Sequence, residues 1–136
     1  MSGTTYSENR VIDLLFGAVS LTPPANYFIG LSTTTPAEAG TGASEPSGGA
    51  YARVSVANNL TNFPAASAGA KTNGTAISFA ESTASWGTIT HILVYDALTG
   101  GNLWYYEALP VSKAVAANVT VYFSAGALTI SNLNAG

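Results

Sequence analysis

The stretch Trp86–Leu109, W-G-T-I-T-H-I-L-V-Y-D-A-L-T-G-G-N-L-W-Y-Y-E-A-L, reads as two strands joined by a tight turn. On the first strand Ile89, His91, Leu93 and Tyr95 fall on one face, and Trp86, Ile92 and Val94 on the other. Apolar residues on both faces suit a strand buried between two layers. The turn Asp96–Asn102 supplies an Asp to bond its own backbone and two glycines, Gly100 and Gly101, able to take positive φ. The return strand, Leu103–Leu109, is again aromatic on both sides.

Outward from this hairpin the chain alternates short apolar runs with Gly- and Pro-rich connections. Thr5–Gly17 predicts the one helix, with Thr5 as N-cap and Glu8 three residues on, as in a capping box. Its apolar stripe of Val11, Ile12, Leu14, Leu15 and Phe16 continues into Ala18 and Val19. So short and apolar a helix must dock, on its own sheet or on a neighbouring chain; docking on its own sheet is the favoured expectation. Pro23-Pro24 stops the helix, and Tyr27–Ser32 then reads as a strand, with Gly30 permitting a close approach or a bulge. Residues 33–50 form a long loop, either a mobile surface loop or an arm onto a partner subunit, and the low charge of the chain favours the arm. Tyr51–Val56 alternates, with Ala52, Val54 and Val56 inward and Arg53 outward. A second irregular segment, residues 58–74, carries Phe63 as an anchor to the core. Short strands follow at Ala76–Phe79, Val119–Phe123 and Leu128–Ile130, Pro110 breaks the ladder after the hairpin, and Asn132–Gly136 is a polar tail. About seven or eight short strands at even spacing, plus one helix, indicate a mainly β domain over residues 1–136. The expected architecture is an antiparallel β-sandwich or small β-barrel.

Composition narrows the function. The 136 residues are 47% hydrophobic but only 8% charged, far below the roughly quarter of an ordinary soluble domain. A small free protein stays in solution through a charged, mixed surface, so this one reads either as a subunit packed in an assembly, the favoured expectation, or as a secreted module with a polar uncharged surface. The net charge is −3 and the four cations are scattered, which speaks against nucleic acid as a partner. No run of apolar residues suffices for a membrane span and no signal peptide opens the chain, so manufacture in a cytoplasm is expected. With no cysteine and a single histidine, His91, neither disulfides nor a transition-metal site is expected, and no cofactor.

No catalytic constellation emerges either. His91 sits mid-strand among apolar neighbours and reads as a hydrogen-bonded structural histidine. The seven carboxylates are scattered singly, and only Glu81 and Glu107 flank the aromatic hairpin. The aromatics Trp86, Tyr95, Trp104, Tyr105 and Tyr106 are strand formers with large areas to bury. Some could instead face outward and stack on sugar, and Trp104 and Tyr106 are the candidates for a glycan-facing surface.

Nearly end to end, the sequence resembles small structural proteins of tailed bacteriophages and prophages, described as tail fibre, minor structural or head decoration proteins. The resemblance lies in S-E-N-R-V-I-D-L-L-F-G, N-Y-F-I-G-L-S-T-T-T-P, S-G-G-A-Y-A-R-V-S-V, A-S-W-G-T-I-T-H-I-L-V-Y-D-A-L-T-G-G-N-L and F-S-A-G-A-L-T-I. It implies a non-enzymatic virion component assembled in a host cytoplasm. As a head decoration (cement) protein, the favoured expectation, it would bind and stabilise the lattice of the major capsid protein as a trimer. As a tail fibre or tail-tip module it would present an aromatic face to host glycans. Candidate subunit contacts are Arg10, Phe16, Glu38, Glu45 and Arg53.

Overall fold

A computed structural model describes residues 1–131; the polar tail expected at Asn132–Gly136 lies outside the described residues. In chain order the elements are β1 (Ser2–Gly3), α1 (Thr5–Leu15), β2 (Asn26–Ser32), β3 (Val54–Ala57) and β4 (Lys71–Thr72). Then come β5 (Ile77–Ser78), β6 (Gly87–Tyr95), β7 (Leu103–Val115), β8 (Tyr122–Phe123) and β9 (Thr129–Ile130). The architecture is mainly β, antiparallel and sandwich-like, without barrel closure. Five strands form one sheet in the order β1-β7-β6-β2-β3, and the pairs β4-β9 and β5-β8 stand apart from it.

The hairpin of β6 and β7 is the centre of that sheet. Asp96 closes its turn as its composition requires: Oδ1 accepts from Asn102 N at 2.7 Å, and Oδ2 accepts from the Asn102 amide and the Trp104 indole. Gly100 and Gly101 take φ of +61° and +73°. Both faces of β6 are buried. On one, Ile92 and Val94 join Ile29, Leu31, Ile77, Phe79, Trp86 and Leu128 in the main core. On the other, Leu93 and Tyr95 pack with Leu103, Phe28, Ala43 and Tyr106. Phe63 is buried as the anchor of its loop and meets the Tyr27 ring edge-on at 6.1 Å.

Several local expectations are corrected. The helix cap is Thr4, not Thr5: its side chain accepts from Ser7 N at 3.4 Å while its hydroxyl donates to the Leu103 carbonyl. Thr4 wins because it is fully buried against β7, so its hydroxyl caps the helix and ties it to the sheet together. Ile89 does not share a face with Leu93; it packs in the main core beside Ile92. The register slips between Ile89 and His91, whose partners are Lys113 and Ala108, so five residues of β7 pass two of β6. That slip surrounds Pro110, which removes a donor from the ladder. Pairing nonetheless resumes, and β7 runs on to Val115. Arg53 points inward and Ala52 outward, the reverse of what was expected of these two, while Val54 and Val56 pack against the main core as expected, and the regular strand begins only at Val54. The loop of residues 33–50 folds back on its own domain: Thr33 N donates to Ser44 O, Ser44 N to the Ser32 hydroxyl, and Thr5 N to Glu38 O.

Candidate functional site

The five candidate contact residues separate into two groups. Glu45 and Arg53 lie inside the domain. The Arg53 guanidinium sits 3.5 Å from the centre of the Tyr95 ring. It grips Glu45 with a bidentate fork, Nε to Oε1 at 2.9 Å and Nη2 to Oε2 at 2.7 Å. Its Nη1 donates to the carbonyls of Ala97 and Gly100, both at 2.7 Å. One side chain thus binds the start of β3, the long loop and the hairpin turn together. Gly30 makes room for this cluster: a Cβ there would stand 2.8 Å from Glu45 Oε1 and 3.0 Å from the Tyr51 hydroxyl.

The electrostatics follow from that geometry. Burial pushes the Glu45 carboxyl up, but the hydrogen bonds from Arg53 and Tyr51 and the Arg53 charge outweigh it and hold it below the ordinary value. Tyr51, buried and donating to Glu45 at 2.6 Å, is pushed far above the usual phenol range. Burial, with smaller contributions from Tyr105 and Asp96, raises Tyr27 to about 12. Such groups remain in one charge state at neutral pH.

Arg10, Phe16 and Glu38 face outward. Arg10 lies over the Tyr6 ring at 4.3 Å. Phe16, at the C-terminal cap of α1, is 81% exposed. Around it Ile12, Leu15 and Val19 also stand open. The helix is held by its first turns, where the Ser7 hydroxyl donates to Trp104 O at 2.8 Å, and Ser7 is its buried residue. The expectation that the apolar stripe docks on its own sheet is therefore overturned for the C-terminal half. Docking is instead set at the N-terminal end, by the buried hydroxyls of Thr4 and Ser7, and the strands α1 packs against are chiefly β7 and β1.

Of the two candidate glycan-facing rings, Trp104 does not reach the surface. Trp104 is buried, edge-on to both Tyr6 and Tyr27, with its indole N–H on Asp96. It faces in because the register irregularity at the hairpin end, where Tyr95 pairs with Leu103, breaks simple alternation. Tyr106 is half-buried against the Leu93 face. His91 is buried, bonded through Nδ1 to the Thr90 hydroxyl at 2.8 Å, and burial holds it below its ordinary value. A cavity of about 410 Å³, which the sequence did not reveal, lies between the sheet and the segment after β3, lined by Tyr27, Leu60, Phe63, Lys71, Tyr105 and Leu128 among others. Its walls come from segments far apart in the chain, so no local pattern announces it.

Among known proteins, no curated protein matches this chain. The family model described as podophage GP4 fiber I protein gp80 matches residues 2–131, nearly all of it. The resemblance to small structural proteins of tailed phages is thereby borne out, and the chain belongs to the family of podophage GP4 fiber I protein gp80.

Proposed function

We propose that this protein is a non-enzymatic structural subunit of a phage fibre, acting through contacts with other copies and other virion proteins. The observation that carries the reading is the projecting apolar end of α1 on a scaffold whose principal ion pair is turned inward. Arg53 and Glu45 are committed to holding the domain together, while Phe16 and Leu15 stand 81% and 67% exposed. An apolar knob of this kind marks an assembly surface in a protein so poor in charge. The fibre placement rests on the family to which the chain belongs, that of a podophage fibre protein.

A second placement, as a decoration protein on the capsid, is favoured by the shape of the chain. The only helix among the described residues spans 11 residues, too short for a stalk, and the domain is compact. Labelled antibody against the protein, imaged on whole particles, separates the two. Label confined to the fibres supports the fibre reading, and label spread over the head supports decoration. Its absence from purified particles would end both.

A further inference from the structure

Thr4 and Ser7 bond the start of α1 to the carbonyls of Leu103 and Trp104 on β7. Past that anchor the helix leaves its own sheet. Phe16 N donates to Ile12 O, and the chain then reverses through Gly17 and Ala18, with φ of +138° and +53°. The reversal returns Val19 N to Asp13 O at 3.0 Å, which folds Val19 against the helix end. Ile12 and Leu15, three apart, are neighbours on one helix face. The result is a compact knob of Ile12, Leu15, Phe16 and Val19, which are 52%, 67%, 81% and 56% exposed, whereas Leu14, two residues on from Ile12, lies on the far side of the helix.

We infer that the occupant of this knob is the same knob of a second copy of the chain, the copies meeting about a common rotation axis. This rests on the proposed role as an assembly subunit and names its contact. Two observations select a copy rather than an unlike partner. The first is area: with about 150–200 Å² for each fully open side chain, the four leave about 450 Å² bare. Two such faces closing on each other cover about 900 Å², close to the size at which a contact holds as a biological interface. The second is charge. From Val11 to Ala25 the sole charged residue is Asp13. The surface therefore offers no charge pattern for an unlike partner to read, and it scarcely repels its own kind. Like meeting like is how closed symmetric assemblies are built.

The test is the native mass of the purified chain at roughly 100 μM, where a contact with a micromolar Kd is essentially saturated. The wild type is expected as an oligomer. Leu15→Ser with Phe16→Ser, at exposed positions, should shift it to monomer, weakening association at least about tenfold while the melting temperature stays within about 2 °C. Because the chain has no cysteine, Leu15→Cys gives a clean probe: mild oxidation should yield a covalent dimer. A wild type that stays monomeric overturns the inference. So does a double variant that keeps the wild-type mass, or an oligomer in which Leu15→Cys does not cross-link. If the wild type is monomeric alone but the double variant no longer enters particles, another virion protein covers the knob and the second copy is excluded. Absence from particles would defeat the fibre reading yet leave the mass and cross-linking results standing.

Discussion

Arg53 ties three separate segments of the chain together. It is 9% exposed and satisfies a carboxylate, two carbonyls and a ring face together. Removing one partner of a buried pair leaves the other uncompensated. Arg53→Met is therefore expected to cost about 2–4 kcal/mol in urea unfolding, below the upper end because Glu45 keeps some solvent contact. Adding Glu45→Gln should restore part of that loss by removing the stranded charge; a double variant worse than the single would refute this account. The same network sets the acid behaviour. Glu45 and Asp96 both have depressed folded values despite burial, Glu45 through Arg53 and Tyr51, Asp96 through Asn102 and Trp104. Their contribution is fully present above the ordinary values of 4.5 and 3.8 and is lost as pH falls through the lowered folded ones. His91 is depressed by burial, so the unfolded chain takes its proton first and stability declines gently below 6.5. Stability measured against pH should thus show a shallow fall below 6.5 and a steep one below 4.5, and Glu45→Gln should flatten the steep limb.

Among the elements, β6 is the one on which the fold depends. Leu93 is fully buried on the lesser face, and Leu93→Ala should cost about 2–5 kcal/mol in denaturant. A loss under about 1 kcal/mol would mean that face is not a true core. The hairpin was legible from sequence because both strands and the turn declare themselves locally: dense apolar residues, an Asp and paired glycines. The buried Phe63, the Asp96 turn and the structural His91 were equally readable. What escaped were features decided by distant partners. The face of Ile89 depends on a slip opposite Pro110, and the inward turn of Arg53 depends on Glu45 and on carbonyls more than 40 residues away. The helix stripe was visible, but which half would be covered was not. Two buried hydroxyls, Thr4 and Ser7, fix the docked end, and hydrophobic periodicity carries no signal for them.

At the scale of the molecule, an inward-facing ion pair and an outward-facing apolar knob are the opposite of a free monomer's arrangement. A net charge of −3 on 136 residues supplies little repulsion to keep copies apart. In a virion that deficit becomes an advantage, because each weak contact is repeated and its neighbours hold it at high effective concentration. The position of the protein then decides which property fails without it. Particles lacking a fibre subunit should lose adsorption to the host while heat and osmotic-shock resistance of the filled head stay unchanged. Particles lacking a decoration subunit should behave in reverse. Comparing plaque-forming titre after adsorption with titre after a heat step, for particles with and without the protein, checks this. On the fibre reading, particles carrying Leu15→Ser and Phe16→Ser should reproduce the adsorption defect of the deletion, since the proposed contact between copies would be lost. Full adsorption by those particles would separate the domain's role from the helix end and place its contacts elsewhere on the sheet.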